Sequence, residues 1–145
     1  MSRKKINLVL MITWMIVIFA FSQQPGNMSN ENNRFVVDIF KKINIDLNEQ
    51  LGNMCDFVIR KLAHFTEYFL LYILSFRVLQ DRRKNYKLNY IYALLIVFLY
   101  ACTDEFHQLF ILGREGKFRD VIIDTAGGTL AMMILYLKVS LKKLK

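Results

Sequence analysis

The sequence predicts an all-α, polytopic membrane protein: a four-transmembrane-helix bundle, N and C termini cytoplasmic, in one domain over residues 1–145. Three observations predict it. Hydrophobic residues make up 54% of the chain and gather into four long apolar blocks. The charged residues, 22% of the total, stand at the ends of those blocks. Twelve of the 20 Lys and Arg fall at three places that one orientation puts on the same side of a membrane. A single Pro and six Gly argue against a loop-rich or disordered chain. Two cysteines make neither a disulfide framework nor a four-thiolate zinc site. The net charge of +8 sits beside apolar blocks, which excludes nucleic acid as the reason for it, and the blocks exclude a soluble globular enzyme.

The first span covers about residues 6–22, an apolar run broken by Asn7 and Thr13. Crossing a hydrocarbon core of roughly 30 Å takes about 17 to 25 helical residues, so this block is at the short end. Arg3, Lys4 and Lys5 before it and Ala20-Phe21-Ser22 after it also suit a signal peptide, which stands as the competing reading. The second span, about 60–79, contains His64 and Glu67. The third, about 88–108, ends in Asp104-Glu105-Phe106-His107-Gln108. The fourth, about 120–139, contains Asp124.

Orientation follows from the basic residues near the span ends. Arg3, Lys4 and Lys5 precede span one. Arg77, Arg82, Arg83, Lys84 and Lys87 surround the turn between spans two and three. Lys138, Lys142, Lys143 and Lys145 follow span four. The outer loop 23–56 and the hairpin 110–117 are thereby expected to face outward. Within the outer loop, Phe35, Val36, Ile39, Phe40 and Ile43 recur at helical spacing opposite Asp38, Lys41 and Lys42. Segment 34–43 is therefore expected to be a short amphipathic helix, lying on the outer leaflet or packed on the outer ends of the spans.

Ionisable groups within spans cost several kcal/mol each unless paired or hydrated, so their placement is informative. Arg60, His64 and Glu67 form one helical stripe, with Lys61 at its edge. Asp104 and Gln108 share a face of span three, and Glu105 and His107 lie off it, toward headgroups or water. Asp120 and Asp124 open span four, followed by Gly127, Gly128 and Ala131, small residues that permit close helix approach. The predicted topology brings all three stripes to one depth, in the outer half of the bilayer. The expected pocket comprises Arg60, Lys61, His64, Glu67, Asp104, Glu105, Gln108, Arg114, Asp120 and Asp124.

Three roles suit such a pocket. It is a catalytic site, with Glu67 or Asp104 as base and His64 as acid or metal ligand. It binds an anionic headgroup. Or it is structural, with Arg60, Arg114 and Arg119 paired to Glu67, Asp104 and Asp124. The sequence requires no cofactor; a divalent metal held by the carboxylates is one way to use them. No zinc-peptidase His spacing and no Gly-x-Ser-x-Gly elbow occurs. Cys55 and Cys102 fall at similar depth without a strong case for a bridge. The Tyr residues and Trp14 suit interface belts and packing.

The constellation resembles the VanZ-like family of small bacterial membrane proteins. The resemblance rests on Phe21-Ser22-Gln23-Gln24-Pro25-Gly26, on Lys61-Leu62-Ala63-His64-Phe65-Thr66-Glu67-Tyr68 with Arg77, and on Thr103-Asp104-Glu105-Phe106-His107-Gln108. Gly113-Arg114 and Asp120-Val121-Ile122-Ile123-Asp124-Thr125-Ala126-Gly127-Gly128 complete it. The family often has Asn where Asp124 stands. The resemblance implies a four-span protein of the bacterial plasma membrane, and the founding member is associated with resistance to the glycopeptide teicoplanin. The expected function is binding or modulation of a cell-envelope component, a lipid headgroup or a lipid-linked cell-wall precursor, with a link to glycopeptides. The alternatives are an enzyme acting on such a lipid and a partner-assembly protein. The oligomeric state is not specified by the sequence.

Overall fold

A computed structural model describes residues 2–42, 46–83 and 85–143. Ile43, Lys84 and Lys145, used above to define the amphipathic face and the orientation, lie outside the described residues. All regular secondary structure among the described residues is helical: α1 (Arg3–Ser22), α2 (Gly26–Lys42), α3 (Leu47–Leu51) with a 3₁₀ turn at Gly52–Met54, α4 (Cys55–Arg82), α5 (Tyr86–Gln108) and α6 (Phe118–Lys143). Four of these, α1, α4, α5 and α6, are long and apolar enough to cross a membrane.

α4 starts five residues before the expected span. Hydropathy falls at Asp56 and Arg60, but the helix continues because each backbone group stays paired within it. Its 28 residues extend about 42 Å at 1.5 Å per residue, more than a bilayer core of roughly 30 Å. At the other end of α4, α5 begins four residues after Arg82. Asn85 caps that helix by accepting a hydrogen bond from the Leu88 N–H at 3.2 Å.

α4 is the central helix, packed against α1, α5 and α6. Tyr68, Leu71, Tyr72 and Phe76 from α4 meet Ala93, Val97 and Ala101 from α5, Val121 and Ala131 from α6, and Ile18 from α1. The small residues of α5 recur every four positions and form a shallow groove. Gly127 and Gly128 do the same on α6. A Cβ at Gly127 would run into the Phe65 backbone carbonyl, and one at Gly128 would meet Val97 Cγ1 at 2.8 Å. Without a strong hydrophobic drive between helices in lipid, such close approach supplies dispersion energy. Large apolar side chains such as Ile16, Ile91, Leu99 and Met133 are exposed on the outside of the bundle, the arrangement a lipid environment stabilises.

α1 is tied to the bundle by polar contacts along its length. Asn7 Nδ2 donates to Asp81 Oδ2 at 2.6 Å, Trp14 Nε1 to the Glu67 carbonyl at 2.9 Å, and the Tyr100 hydroxyl to the Met15 carbonyl at 2.6 Å. Trp14 and Tyr100 thus hold α1 against the bundle, and Tyr68 and Tyr72 are fully buried in the core.

The segment after α1 folds back over the start of α4. Val37, Cys55 and Ile59 form a second small core with Val36, Leu47 and Leu51 against it. Asn33 Nδ2 donates to both the backbone carbonyl and Oδ1 of Asp56, at 3.2 and 3.1 Å. Val36 and Val37 turn inward, whereas Phe35, Ile39 and Phe40 are exposed. Both cysteines are free thiols, with Cys55 buried in this second core.

Candidate functional site

The end of the bundle formed by the last turn of α1, the first turns of α4 and α6 and the last turns of α5 carries nearly all its buried charge. α4 contributes Arg60, Lys61, His64 and Glu67, and α5 contributes Asp104, Glu105 and Gln108. The α5–α6 hairpin adds Arg114, and α6 adds Asp120 and Asp124. All ten residues expected from the sequence fall at this end. They divide into three parts.

The first is a vestibule of about 560 Å³. Five cationic side chains line it, Arg60, Lys61, Arg114, Lys117 and Arg119, together with Asp120, Glu115 and the Phe57 ring. Lys61 Nζ lies 2.6 Å from Asp120 Oδ2, and Lys117 pairs with Glu115. Glu115 and Lys117 are surface groups: the bond from Lys117 lowers the Glu115 pKa, and Glu115 raises that of Lys117. Arg60, Arg114 and Arg119 form no ion pair among the described residues. Arg119 stands 5.9 Å from the centre of the Phe57 ring.

Arg114 holds the hairpin to α1. Its Nε donates to the Gln24 carbonyl at 2.8 Å and its Nη2 to the Phe21 carbonyl at 3.0 Å, capping the frayed end of that helix. Burial, then the Arg60 charge, pull its pKa below the ordinary arginine value, while Asp104, Glu105 and Glu67 pull it up. The guanidinium stays charged throughout the physiological range. Gly113, with φ of 73°, supplies the left-handed residue the hairpin needs.

The second part is a smaller cavity of about 180 Å³ that adjoins the vestibule, sharing Arg60, His64 and Arg114 with it and adding Glu67, Asn33 and Gln24. The third is a buried acidic floor. Asp104 and Asp124 are 3% and 1% exposed. Gln108 Nε2 donates to Asp104 Oδ2 at 3.3 Å, and the Ser22 and Tyr68 hydroxyls turn toward the same carboxylate. His64 Nδ1 stands 3.7 Å from Asp124 Oδ1, an ion-pair distance when the ring is protonated but too long for a hydrogen bond.

Several expectations need correction. Glu105 does not face headgroups or water. It is 5% exposed, and its Oε2 accepts the Lys117 backbone N–H at 2.9 Å, locking the hairpin onto α5. The hairpin folds back on the last turn of α5 and covers the face that helical periodicity alone assigns to solvent. His107 is half-buried, its ring centre 4.8 Å from that of Phe19. The pairing of Arg60, Arg114 and Arg119 with Glu67, Asp104 and Asp124 does not occur. On α4 it is Lys61 that pairs with a carboxylate, Asp120, and His64 that approaches another, Asp124, because both lie on the side of α4 that faces α6. Ser22, Phe57, Tyr68 and Lys117 are site residues the sequence reading passed over. Tyr68 was signalled by its place four residues beyond His64, on the same helix face.

This fold and site define a multi-pass helical membrane protein with a cationic vestibule over a buried acidic floor. The chain belongs to the VanZ/LLP1 family, whose family model matches residues 7–139, from the first turns of α1 to near the end of α6. Neither a curated protein nor a solved structure matches it.

Proposed function

We propose that the vestibule binds the phosphate-bearing headgroup of a cell-envelope lipid, either an anionic membrane lipid or a lipid-linked cell-wall precursor, in the bacterial plasma membrane. The observation that supports this is the surplus of cations: five line one cavity, and three of them have no carboxylate partner among the described residues. Arg60 is suited to fork onto phosphate oxygens, and Arg114, whose Nε and Nη2 hold the end of α1, keeps further N–H donors for the same anion. Each charge-assisted hydrogen bond contributes about 1.5–3 kcal/mol, roughly 10- to 100-fold in affinity.

In this reading the basic clusters at Arg3–Lys5 and Arg82–Arg83 lie at the cytoplasmic face, and the vestibule opens outward, where wall precursors and glycopeptides are met. The exposed Phe35, Ile39 and Phe40 of α2 rest in the outer leaflet beside its mouth. A change in glycopeptide susceptibility, teicoplanin included, is then a consequence of holding or redirecting such a lipid.

Native mass spectrometry of the detergent-purified protein tests the proposal, with phosphatidylglycerol, phosphatidylcholine and a polyprenyl diphosphate offered separately. Retention of a phosphate-rich anionic lipid over phosphatidylcholine, weakened at least about tenfold by Arg60→Ala, is the expected result. Equal retention of all three lipids, or no effect of Arg60→Ala, overturns it. Selective retention of the polyprenyl diphosphate identifies the precursor as the ligand.

A second reading, catalysis on the same class of lipid, draws on Glu67 and His64 lining the cavity that adjoins the vestibule. It requires Glu67→Gln to abolish turnover of the bound lipid, followed by ³¹P NMR, while the lipid remains bound.

A further inference from the structure

Beneath the vestibule, Asp104 and Asp124 carry two carboxylates into the bundle, 3% and 1% exposed. Neither oxygen of Asp124 accepts a hydrogen bond, and Asp104 Oδ1 accepts none of proper geometry although the Ser22 and Tyr68 hydroxyls turn toward that carboxylate. Unlike Asp120, neither has a lysine in contact, since Lys61 is engaged by Asp120. Burying charged carboxylates without such compensation costs several kcal/mol each. His64 Nδ1 is likewise buried without a hydrogen-bond partner, and one donor atom from each of the three residues lies within 4.8 Å of the others.

From this cluster we infer that His64, Asp104 and Asp124 form a binding site for one divalent metal ion at the floor of the vestibule. The inference goes beyond headgroup binding and does not depend on it. A divalent ion balances the two carboxylate charges and gives each free oxygen and the imidazole nitrogen a partner. One nitrogen and two oxygen donors suit ions of the zinc and manganese class better than calcium, which takes six to eight oxygens. Donors around a tetrahedral ion at about 2.0 Å stand roughly 3.3 Å apart, so the 3.7 Å between His64 Nδ1 and Asp124 Oδ1 is near the required spacing, and the trio, with donors within 4.8 Å of one another, draws together by side-chain rotation when the ion binds.

The three residues come from three different helices, α4, α5 and α6, so the ion also clamps the bundle. Gln108 orients Asp104 from outside the trio, as supporting hydrogen bonds do around metal-binding carboxylates. His64 and Gln108 also line the vestibule, which provides the entry path. Three protein donors leave a coordination position open on that side, suited to water or an anionic oxygen.

The test uses the full-length chain without a polyhistidine tag, stripped with EDTA in detergent, with Zn²⁺ and Mn²⁺ chlorides added separately and no lipid. One ion per chain by native mass spectrometry is expected, with a rise in melting temperature of roughly 5 °C or more well above the dissociation constant. His64→Gln and Asp124→Asn should each weaken binding at least about tenfold, whereas Asp38→Asn, an exposed acid on α2, should not. Pulsed EPR of the Mn²⁺ form of the otherwise native protein supplies a readout that survives a poorly folding variant. A histidine nitrogen coupling should persist in His107→Gln, which leaves His64 as the single histidine, and disappear in His64→Gln. Absence of a bound ion with either metal, or a coupling lost in His107→Gln and retained in His64→Gln, overturns the site. Because no lipid is present, the outcome is independent of headgroup binding.

Discussion

Gly127 of α6 lies so close to Phe65 of α4 that a methyl group added to the glycine would collide with the Phe65 carbonyl oxygen. The contact sits beside the site. Asp124 is three residues before Gly127, nearly one turn, and His64 immediately precedes Phe65. This tight contact between α4 and α6 therefore helps set how near the imidazole and the carboxylate come.

Gly127→Ala should separate those helices. Overpacking costs about 1–3 kcal/mol, and alanine returns about 1 kcal/mol of helix propensity. Because the obstacle is backbone, the cost lies at the upper end, for a net loss of about 2 kcal/mol. At Gly128 the obstacle is Cγ1 of Val97, a fully buried β-branched side chain with little rotamer freedom, so Gly128→Ala should also destabilise, but by about 1 kcal/mol less than Gly127→Ala because a side chain can yield where backbone cannot. Thermal melting in detergent compares the two; equal behaviour would contradict the packing account.

The helical stripes made much of this site legible in the sequence. Arg60, His64 and Glu67 at i, i+4 and i+7, and Asp120 with Asp124, could only converge once alternating spans brought them to one end. The partner choices were not legible. Whether His64 or Arg60 reaches Asp124 depends on a rotation of α4 by a fraction of a turn, which the glycine contact at residue 127 sets and periodicity does not specify. Glu105 was hidden for a different reason: its partner is the backbone N–H of Lys117, and a main-chain donor leaves no residue-type signal. On α2 the apolar residues were visible, but Val36 and Val37 face the second core while Phe35 and Ile39 do not, a division set by Cys55 and Ile59 on another helix.

The Lys61–Asp120 pair is short and largely buried, with side chains 20% and 11% exposed. Removing either partner strands the other, so Lys61→Met and Asp120→Asn should each destabilise the protein. The double variant should recover part of the loss. A coupling energy of about 1–3 kcal/mol from a double-mutant cycle is expected. Strictly additive losses would show that the two groups do not interact in the membrane protein.

Leu112, 86% exposed at the tip of the α5–α6 hairpin, and Tyr86, 63% exposed at the start of α5, lie at opposite ends of the bundle. In a chain whose native cysteines are replaced by alanine, Leu112→Cys should react with an impermeant maleimide on intact cells. Tyr86→Cys should react only after permeabilisation, as the basic clusters require. The reverse pattern would place the vestibule on the cytoplasmic side and remove wall precursors and glycopeptides from its reach.

Arg60 and Arg114 line the same cavity but differ in what else they hold. Arg114 donates two hydrogen bonds to the end of α1, from Nε and Nη2, and the flexible ammonium of lysine cannot reproduce that fork. Arg114→Lys should therefore lower stability by about 1.5–3 kcal/mol and weaken headgroup retention as well, because the hairpin residues that line the vestibule lose their tie to the end of α1. Arg60 has no ion-pair partner among the described residues, so Arg60→Ala should leave the melting temperature within about 2 °C of the parent. Its effect should appear in lipid retention alone. Melting curves and native mass spectra of the same two samples separate the roles. A large drop in stability for Arg60→Ala would mean that this arginine supports the bundle, and the cation surplus that favours an anionic ligand would shrink accordingly.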